Sequence, residues 1–113
     1  MGKLFKVDLS GPRVYACTKC RCHLAKSEDI VSKSFTGRHG RAYLFSSVVN
    51  VAVGKHEERM LLTGMHTVAD VVCIVCDTVV GWKYLEAYEE GQKYKQGKFI
   101  LEKQRMDKES GWT

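Results

Sequence analysis

The sequence predicts a mainly β fold in which a metal site joins two distant parts of the chain, and three features predict it. Two Cys-x-x-Cys turns, one formed by Cys17 and Cys20 and one by Cys73 and Cys76, are separated by fifty-two residues. Short runs of β-branched and aromatic residues, typical of strands, alternate with turns that contain glycine or charged residues. No segment has the periodicity of a long amphipathic helix. We therefore expect several short strands arranged around a four-cysteine clamp.

The four paired cysteines predict a structural metal ion. Each turn directs two thiolates toward one point, and two such turns complete the tetrahedron that Zn²⁺ prefers. Iron in a rubredoxin-like site is the alternative, because sulfur ligands alone do not distinguish the two metals. Disulfides or a redox dithiol fit less well, since residues 1–5 lack the apolar run of a signal peptide and there are two turns rather than one. Four protein ligands leave no open position for a substrate, which indicates a structural rather than a catalytic metal.

Length and composition predict one domain over residues 1–113. The chain is 44% hydrophobic, enough for one modest core, which we place at about 15–106 between an N-terminal arm and a short C-terminal tail. The longest apolar runs are too short to span a membrane, so we expect no membrane partner. A net charge of +5 and a pI near 9.0 permit contact with phosphate or acidic partners without requiring it. The fifth cysteine, Cys22, suits a reducing nuclear or cytosolic setting.

The first half of the chain is predicted to contain an arm or a first edge strand at 1–12, a strand at 14–16, the first metal turn and a strand at 30–35. Cys22 directly follows the first turn, and we interpret it as a bystander because Cys-x-x-Cys makes a better ligand pair than Cys-x-Cys. The glycines within 36–40 predict a turn or an exposed loop. Around this loop lies the densest basic patch, which is either solvated surface or a site for an anion or an acidic partner. Its residues are Lys33, Arg38, His39 and Arg41.

The second half is predicted to contain further strands on both sides of the second turn. The predicted strands cover 41–53, as one strand or a pair, then 59–63, 67–72, 78–84 and 98–103, with a charged turn at 54–58 and with Gly64 ending the strand before it. Asn50 interrupts the first of them, so its amide should bond to a neighbouring loop or mark a bulge. Residues 86–95 predict a turn or a short irregular helix. Residues 106–113 predict a charged tail whose Trp112 either docks on the body, which is the default, or contacts a partner.

An ordered set of residues between Cys17 and Lys98, about three-quarters of the chain, resembles the Yippee family. The set comprises Cys17, Cys20, Gly40, Leu44, Asn50, Gly64, Cys73, Cys76, Gly-Trp-Lys-Tyr at 81–84 and Gln-Lys-Tyr-Lys-Gln-Gly-Lys at 92–98. The resemblance implies a β-tent, in which two antiparallel sheets meet at an angle and are pinned by a four-cysteine zinc site. Related β-tent domains include the ligand-binding domain of cereblon and zinc-bearing methionine sulfoxide reductases, so the fold alone does not determine function.

Membership of this family would imply a non-enzymatic, zinc-binding module whose role is to bind other proteins. Yippee relatives are associated with the nucleus and the cytoplasm, with cell-division structures, and in one branch with a ubiquitin ligase assembly. We expect partners of this kind and the same cellular locations.

Segment 81–84 also predicts an aromatic groove. Trp82 and Tyr84 are two residues apart and should face one side of a strand, at the step after the metal turn where cereblon has part of an aromatic cage for cyclic imides. The other tryptophans of that cage are missing here, where Met60, Leu61 and His66 stand instead. We expect a smaller groove between the sheets, with Trp82 packed as core as the alternative. The candidate groove residues are Phe35, Tyr43, His66, Trp82 and Tyr84.

Two other functions are less consistent with the sequence. A nucleic-acid-binding or anion-binding regulatory domain would use the basic loop at 33–41 together with the lysines of segment 93–95. No interleaved aromatic residues, however, indicate an RNA-reading sheet. A thiol-based reductase would use Cys22 as nucleophile with His23 or His66 as base. No resolving thiol exists outside the two metal turns, so we expect no enzymatic activity.

Overall fold

The computed structural model describes residues 6–109, which form nine strands and three short 3₁₀ segments. The strands are β1 (Val14–Cys17), β2 (His23–Lys26), β3 (Ile30–Gly37), β4 (Gly40–Phe45), β5 (Val51–Leu61), β6 (Gly64–Cys73), β7 (Val79–Ala87), β8 (Phe99–Glu102) and β9 (Met106–Lys108). The 3₁₀ segments are Ser27–Asp29, Glu90–Lys95 and Lys103–Arg105. No helix within 6–109 is long and apolar enough to cross a membrane.

The strands form two antiparallel sheets. One sheet has three strands in the order β2-β1-β9, and the other has six in the order β3-β4-β8-β7-β6-β5. The predicted mainly β class with two antiparallel sheets is therefore confirmed. Most neighbours in the large sheet are joined by short turns, but β8 inserts between β4 and β7 and so joins the first half of the chain to the second.

The large sheet buries a different set of side chains on each face, because successive residues of a strand point to opposite sides. One face packs against the small sheet around Tyr15, Leu24, Phe45 and Leu101. The other face carries a second apolar cluster, which consists of Ala42, Leu44, Val68, Tyr84 and Ile100, with Phe35, Leu61 and Trp82 packed against it. The chain therefore has one core between the sheets and one apolar layer outside them.

Gly81 permits the close approach of β7 to β8. A Cβ atom at this position would lie 1.7 Å from the carbonyl oxygen of Ile100, a distance that no side chain could tolerate. The pairing of Gly81 with Leu101 and of Trp82 with Ile100 is thus possible because residue 81 is a glycine, which has no side chain. This contact fixes where Trp82 and Tyr84 lie on the outer apolar layer.

The prediction of a charged turn at 54–58 was wrong. These residues continue β5, which is the edge strand of the large sheet and pairs with β6 along its length, with a bulge between Val53 and His56. Their charged side chains are exposed to water, so an edge strand accommodates them at little cost. The actual turn lies at Leu62 and Thr63, and Gly64, with φ 113°, begins β6 rather than ending a strand.

The predicted tail at 106–113 was also wrong in its first part. Met106–Lys108 forms β9, which pairs with β1 through Cys17 and Met106, Ala16 and Asp107, and Tyr15 and Lys108. Strand β2 was not predicted either. Both strands are too short to show a period, and only their partners in the small sheet define them. Trp112 lies outside the described residues.

Asn50 confirms the prediction that its amide bonds to a neighbouring loop. Its backbone adopts φ 60°, and its side chain accepts the Val7 N–H at 2.7 Å. The amide nitrogen donates to the carbonyl oxygens of Val7 at 2.8 Å and His23 at 2.7 Å. Residues 6–12 form no strand and run as an arm that Asn50 attaches to β2.

Candidate metal centre and aromatic cleft

The two Cys-x-x-Cys turns have the same backbone structure. In the first turn the Arg21 N–H donates to the carbonyl of Cys17 at 2.8 Å, and in the second the Asp77 N–H donates to Cys73 at 2.9 Å. Arg21 and Asp77 are also equivalent in conformation, with φ of 68° and 61°. Each turn begins where a strand ends, β1 for the first and β6 for the second. The fold therefore presents two copies of one ligand-bearing turn.

The four thiols converge as a tetrahedral site requires. Their sulfur atoms all lie within 4.8 Å of one another, with Cys17 Sγ 3.6 Å from Cys76 Sγ and Cys20 Sγ 3.5 Å from Cys73 Sγ. Sulfur atoms bound to a zinc ion at about 2.3 Å would be about 3.8 Å apart. Residues Cys17, Cys20, Cys73 and Cys76 are thus positioned to hold a metal ion.

The thiols differ in how easily they lose a proton. Burial raises the pKa of Cys17, and it raises the pKa of Cys20 to about 12. A hydrogen bond with the Thr78 hydroxyl, at 3.1 Å, lowers the pKa of Cys76 to about 7. A metal ion must therefore displace protons from Cys17 and Cys20 when it binds, so uptake should strengthen as pH rises.

Polar contacts attach β9 to the first turn. The Arg21 guanidinium lies 2.7 Å from the carboxylate of Asp107 and 2.6 Å from that of Glu109. The Thr18 hydroxyl donates to Asp107 at 2.8 Å. These groups are at least partly exposed, so each ion pair contributes little stability, but together they hold the end of the described chain beside the cysteine cluster.

A cleft of about 950 Å³ lies on the outer apolar layer of the large sheet. Its apolar lining includes Phe35, Leu61, Trp82 and Tyr84, which belong to the second apolar cluster. The structure therefore places Trp82 neither in a groove between the sheets nor in the core that they share. Trp82 is half-buried at the wall of a cleft on the opposite face.

Four of the five predicted groove residues meet around the Tyr84 ring. Its centroid lies 5.3 Å from the ring of His66, 6.3 Å from that of Trp82 and 6.5 Å from that of Phe35. The fifth, Tyr43, is separate: it packs in the core between the sheets, with its ring 6.3 Å from that of Tyr15. His66 is fully buried beneath Tyr84 and does not line the cleft.

The four residues of the predicted basic patch do not lie together. Arg38 and His39, in the turn between β3 and β4, line the cleft. His39 donates its backbone N–H to Glu102 at 2.9 Å, and its Nδ1 lies 3.1 Å from the same carboxylate. The Nζ of Lys33 lies 5.7 Å from the Tyr43 ring, away from this cleft, while Arg41 is an exposed residue of β4.

The residues considered for thiol chemistry are not arranged for it. Cys22 is buried, and burial raises the pKa of its thiol to about 11, whereas a nucleophilic cysteine has a lowered pKa. His23 Nδ1 already accepts the Leu9 N–H at 2.9 Å. His66 Nδ1 donates to the carbonyl of Gly64 at 2.9 Å. The His66 side chain is fully buried against the Tyr84 ring, so it is not accessible to a substrate.

The sequence does not identify Glu102 and Thr63 as residues of the cleft, and it indicates Lys95 only as one lysine of a possible nucleic-acid surface. Glu102 and Lys95 are both buried, with 4% and 3% of their surfaces exposed, and both line the cleft. Thr63, in the turn between β5 and β6, accepts a hydrogen bond from Lys95 at 3.0 Å. Lys95 lies in a segment with three other lysines, at 93, 98 and 103, and nothing in the sequence distinguishes the buried one.

Comparisons with known proteins agree with the fold and the cysteine cluster. Residues 13–113 match a family model described as Yippee zinc-binding/DNA-binding/Mis18, centromere assembly. The chain is 58% identical over 100 residues to protein yippee-like 4 of Homo sapiens, covering 88% of this chain and 79% of that protein. It is 59% identical over 100 residues to protein yippee-like 3 of Danio rerio, covering 88% and 84%. The crystal structure of the Mis18 'Yippee-like' domain superposes with a TM-score of 0.70 at 17% identity, covering 91% of this chain and all of that one.

Proposed function

The chain belongs to the Yippee family, and from that premise we propose that it is a non-enzymatic, zinc-stabilised module that binds other proteins through the aromatic cleft. The observation that carries this proposal is an exposed face of the large sheet where Phe35, Trp82 and Tyr84 gather. Exposed apolar clefts with a few polar groups are typical of binding sites, whereas a core needs no opening.

Zinc is the metal we assign to the four cysteines. The thiol set and the sulfur spacing suit a structural tetrahedral site, and the description of the family model includes zinc binding. Elemental analysis of the purified protein should find one zinc per chain. Iron at that stoichiometry would contradict the assignment.

We further propose that the partners belong to a ubiquitin ligase assembly or to the cell-division machinery, and that the protein acts in the nucleus and the cytoplasm. The family description names centromere assembly, which is a cell-division structure. This part of the proposal rests on the family and not on a contact seen in the chain.

Binding of nucleic acid or another polyanion is the second candidate. The family description includes DNA binding, and neither Arg38 nor Arg41 forms an ion pair with another described residue. Affinity for a DNA duplex should then fall steeply with salt and should weaken when Arg38 and Arg41 are both replaced by Ala.

The main experiment compares Trp82→Ala with Tyr88→Ala in affinity capture from nuclear and cytoplasmic extracts. Tyr88 is an exposed aromatic residue outside the cleft, so it controls for nonspecific aromatic contact. We expect Trp82→Ala to lose captured ligase or cell-division proteins that Tyr88→Ala retains, while thermal unfolding shows both variants folded. Equal capture by both variants would contradict a role for the cleft.

A further inference from the structure

Lys95 is a buried cation without an anion. Only 3% of its surface is exposed, and no carboxylate of residues 6–109 lies within ion-pair distance of it. Its ammonium donates to the Thr63 hydroxyl at 3.0 Å and lies 5.3 Å and 5.1 Å from the ring centroids of Phe35 and Tyr84. An ammonium has three donors, and within residues 6–109 only one of them has a hydrogen-bond acceptor. Burial lowers the pKa of Lys95, as expected for a buried ammonium without a neighbouring carboxylate.

The acidic groups of the cleft are occupied by other partners. Glu102 accepts two bonds from His39, and Asp70 lies 3.1 Å from the Arg59 guanidinium. The basic residues that line the cleft outnumber these two carboxylates; they are Arg38, Arg59, Lys95 and Arg105. Arg38 is exposed to water and Arg105 is half-buried, whereas Lys95 is buried. An anion that enters the cleft would therefore meet a positive surface in which the buried charge without an ion pair belongs to Lys95.

A second buried donor lies in the same wall. The indole N–H of Trp82 has no hydrogen bond of standard geometry with a described residue. Burial raises the pKa of Tyr84, and the interaction of Tyr84 with the Trp82 side chain opposes that rise. The Trp82 ring centroid lies 6.3 Å from the Tyr84 ring centroid, and the Lys95 ammonium lies 5.1 Å from it. Buried donors with unused hydrogen-bonding capacity are costly, so the indole N–H and the ammonium together favour an acceptor in the cleft.

We propose that the cleft binds the C-terminal carboxylate of a partner polypeptide with an apolar last residue, and that this carboxylate accepts hydrogen bonds from Lys95 Nζ and the Trp82 indole N–H. One buried cation balances one negative charge, which suits a carboxylate better than a doubly charged phosphate in apolar surroundings. The terminal side chain packs against Phe35, Leu61 and Tyr84. This inference rests on the proposed function, since it names what the cleft recognises in a protein partner.

The shape of the cleft favours a chain end over a free small acid. Its volume of about 950 Å³ exceeds what one carboxylate and one side chain fill. Its rim carries two exposed apolar side chains, Leu62, which is fully exposed, and Tyr94, which is 51% exposed. The residues that precede the terminus would contact them on the way out of the cleft.

The test uses the zinc-loaded full chain and hexapeptides that end in Phe, Leu or Ile, each made with a free C-terminal carboxylate and with a carboxamide. Calorimetry should show at least one carboxylate peptide binding about tenfold or more tightly than its carboxamide, because the amide removes the charge that pairs with Lys95. Lys95→Met should abolish that preference. The matched control is Lys83→Met, whose ammonium lies over the Phe99 ring at 5.1 Å and does not line the cleft; it should retain the full preference.

Trp82→Phe is a milder variant that keeps an aromatic ring but lacks the indole N–H. It should weaken the affinity for the carboxylate peptide about threefold or more. Equal binding of the two peptide forms, no binding of either, or a preference that survives Lys95→Met would overturn the inference. Binding of 3-phenylpropionate without binding of any peptide would also overturn it. If Trp82→Ala still abolishes protein capture in any of these cases, the proposed function stands and only the carboxylate assignment fails.

Discussion

The cysteine cluster and the aromatic cleft are built in opposite ways. The cluster consists of two short turns with one hydrogen-bond pattern, each complete within six residues, and four identical ligand atoms converge inside 4.8 Å. The cleft takes its lining from the β3–β4 hairpin, the β5–β6 turn, β7 and the 3₁₀ segment Glu90–Lys95. Changes in the cluster should therefore affect the stability of the whole chain, and changes in the cleft should affect binding first.

The largest effect is expected from Cys73→Ser. Removal of one thiolate should abolish tight metal binding and with it most of the folding free energy that a structural zinc site supplies, on the order of 10 kcal/mol in small zinc domains. Metal content and circular dichroism measure the loss. Cys22→Ser is the matched control, since Cys22 is equally buried but is not one of the four converging thiols. A folded, fully metal-loaded Cys73→Ser protein would contradict the expectation that the cysteine cluster stabilises the whole chain.

Gly81→Ala should destabilise the protein by about 3 kcal/mol or more, because the new Cβ would overlap the Ile100 carbonyl at 1.7 Å and force β7 from β8. Chemical denaturation measures the change. Gly91→Ala serves as control, since a Cβ there meets no atom within 4 Å. This variant sharpens the comparison because it disturbs the floor of the cleft without touching the cysteines. Unchanged stability would show that the β7–β8 register is not what positions Trp82.

Asn50→Ala should cost about 2–3 kcal/mol, since it removes three hydrogen bonds and leaves a residue with a Cβ but no polar side chain at φ 60°. Asn50→Gly tolerates the backbone conformation but loses the same bonds, so thermal unfolding of the two variants separates strain from bonding. A fully stable Asn50→Gly protein would mean that attachment of residues 6–12 contributes nothing.

The smallest effect is expected at the rim of the cleft. Burial alone would raise the pKa of Glu102, but the hydrogen bonds from the backbone and ring of His39 outweigh it and lower that pKa. A carboxyl with a lowered pKa stabilises the fold above its unfolded value, about 4.3, and loses that contribution as pH falls toward the folded value. His39→Ala should cost about 1 kcal/mol or less at neutral pH, because His39 is 40% exposed.

Unfolding midpoints measured between pH 7 and pH 3 test this point. The stability difference between wild type and His39→Ala should shrink as pH falls from about 4.3 through the lowered pKa of Glu102, and it should vanish once Glu102 is protonated in both folded proteins. A difference that stays undiminished down to pH 3 would show that ionised Glu102 is not what His39 stabilises. The Thr36→Ala variant, in the same hairpin but without a bond to Glu102, is the control.

The cysteine cluster and the aromatic cleft also differ in how well the sequence predicts them. The spacing of the cysteines predicted the cluster because both turns are local, and β-rich runs predicted β3, β6, β7 and β8 with small errors at their ends. The charged run at 54–58 was misassigned because charge is compatible with a turn or with an exposed edge strand, and only pairing with β6 distinguishes them. Residues Met106–Lys108 form a strand because they pair with β1, and their own sequence pattern is too short to indicate one.

The sequence by itself determined the four converging cysteines, the β class and the placement of Trp82 and Tyr84 on one side of a strand, because each depends on spacing along a few residues. Tertiary structure alone decided that this side faces outward and that Tyr43 lies in the other core. It also decided that one lysine among several, Lys95, is buried beside two aromatic rings. These placements depend on which strands become neighbours, and that is set by packing over the whole chain rather than by local pattern.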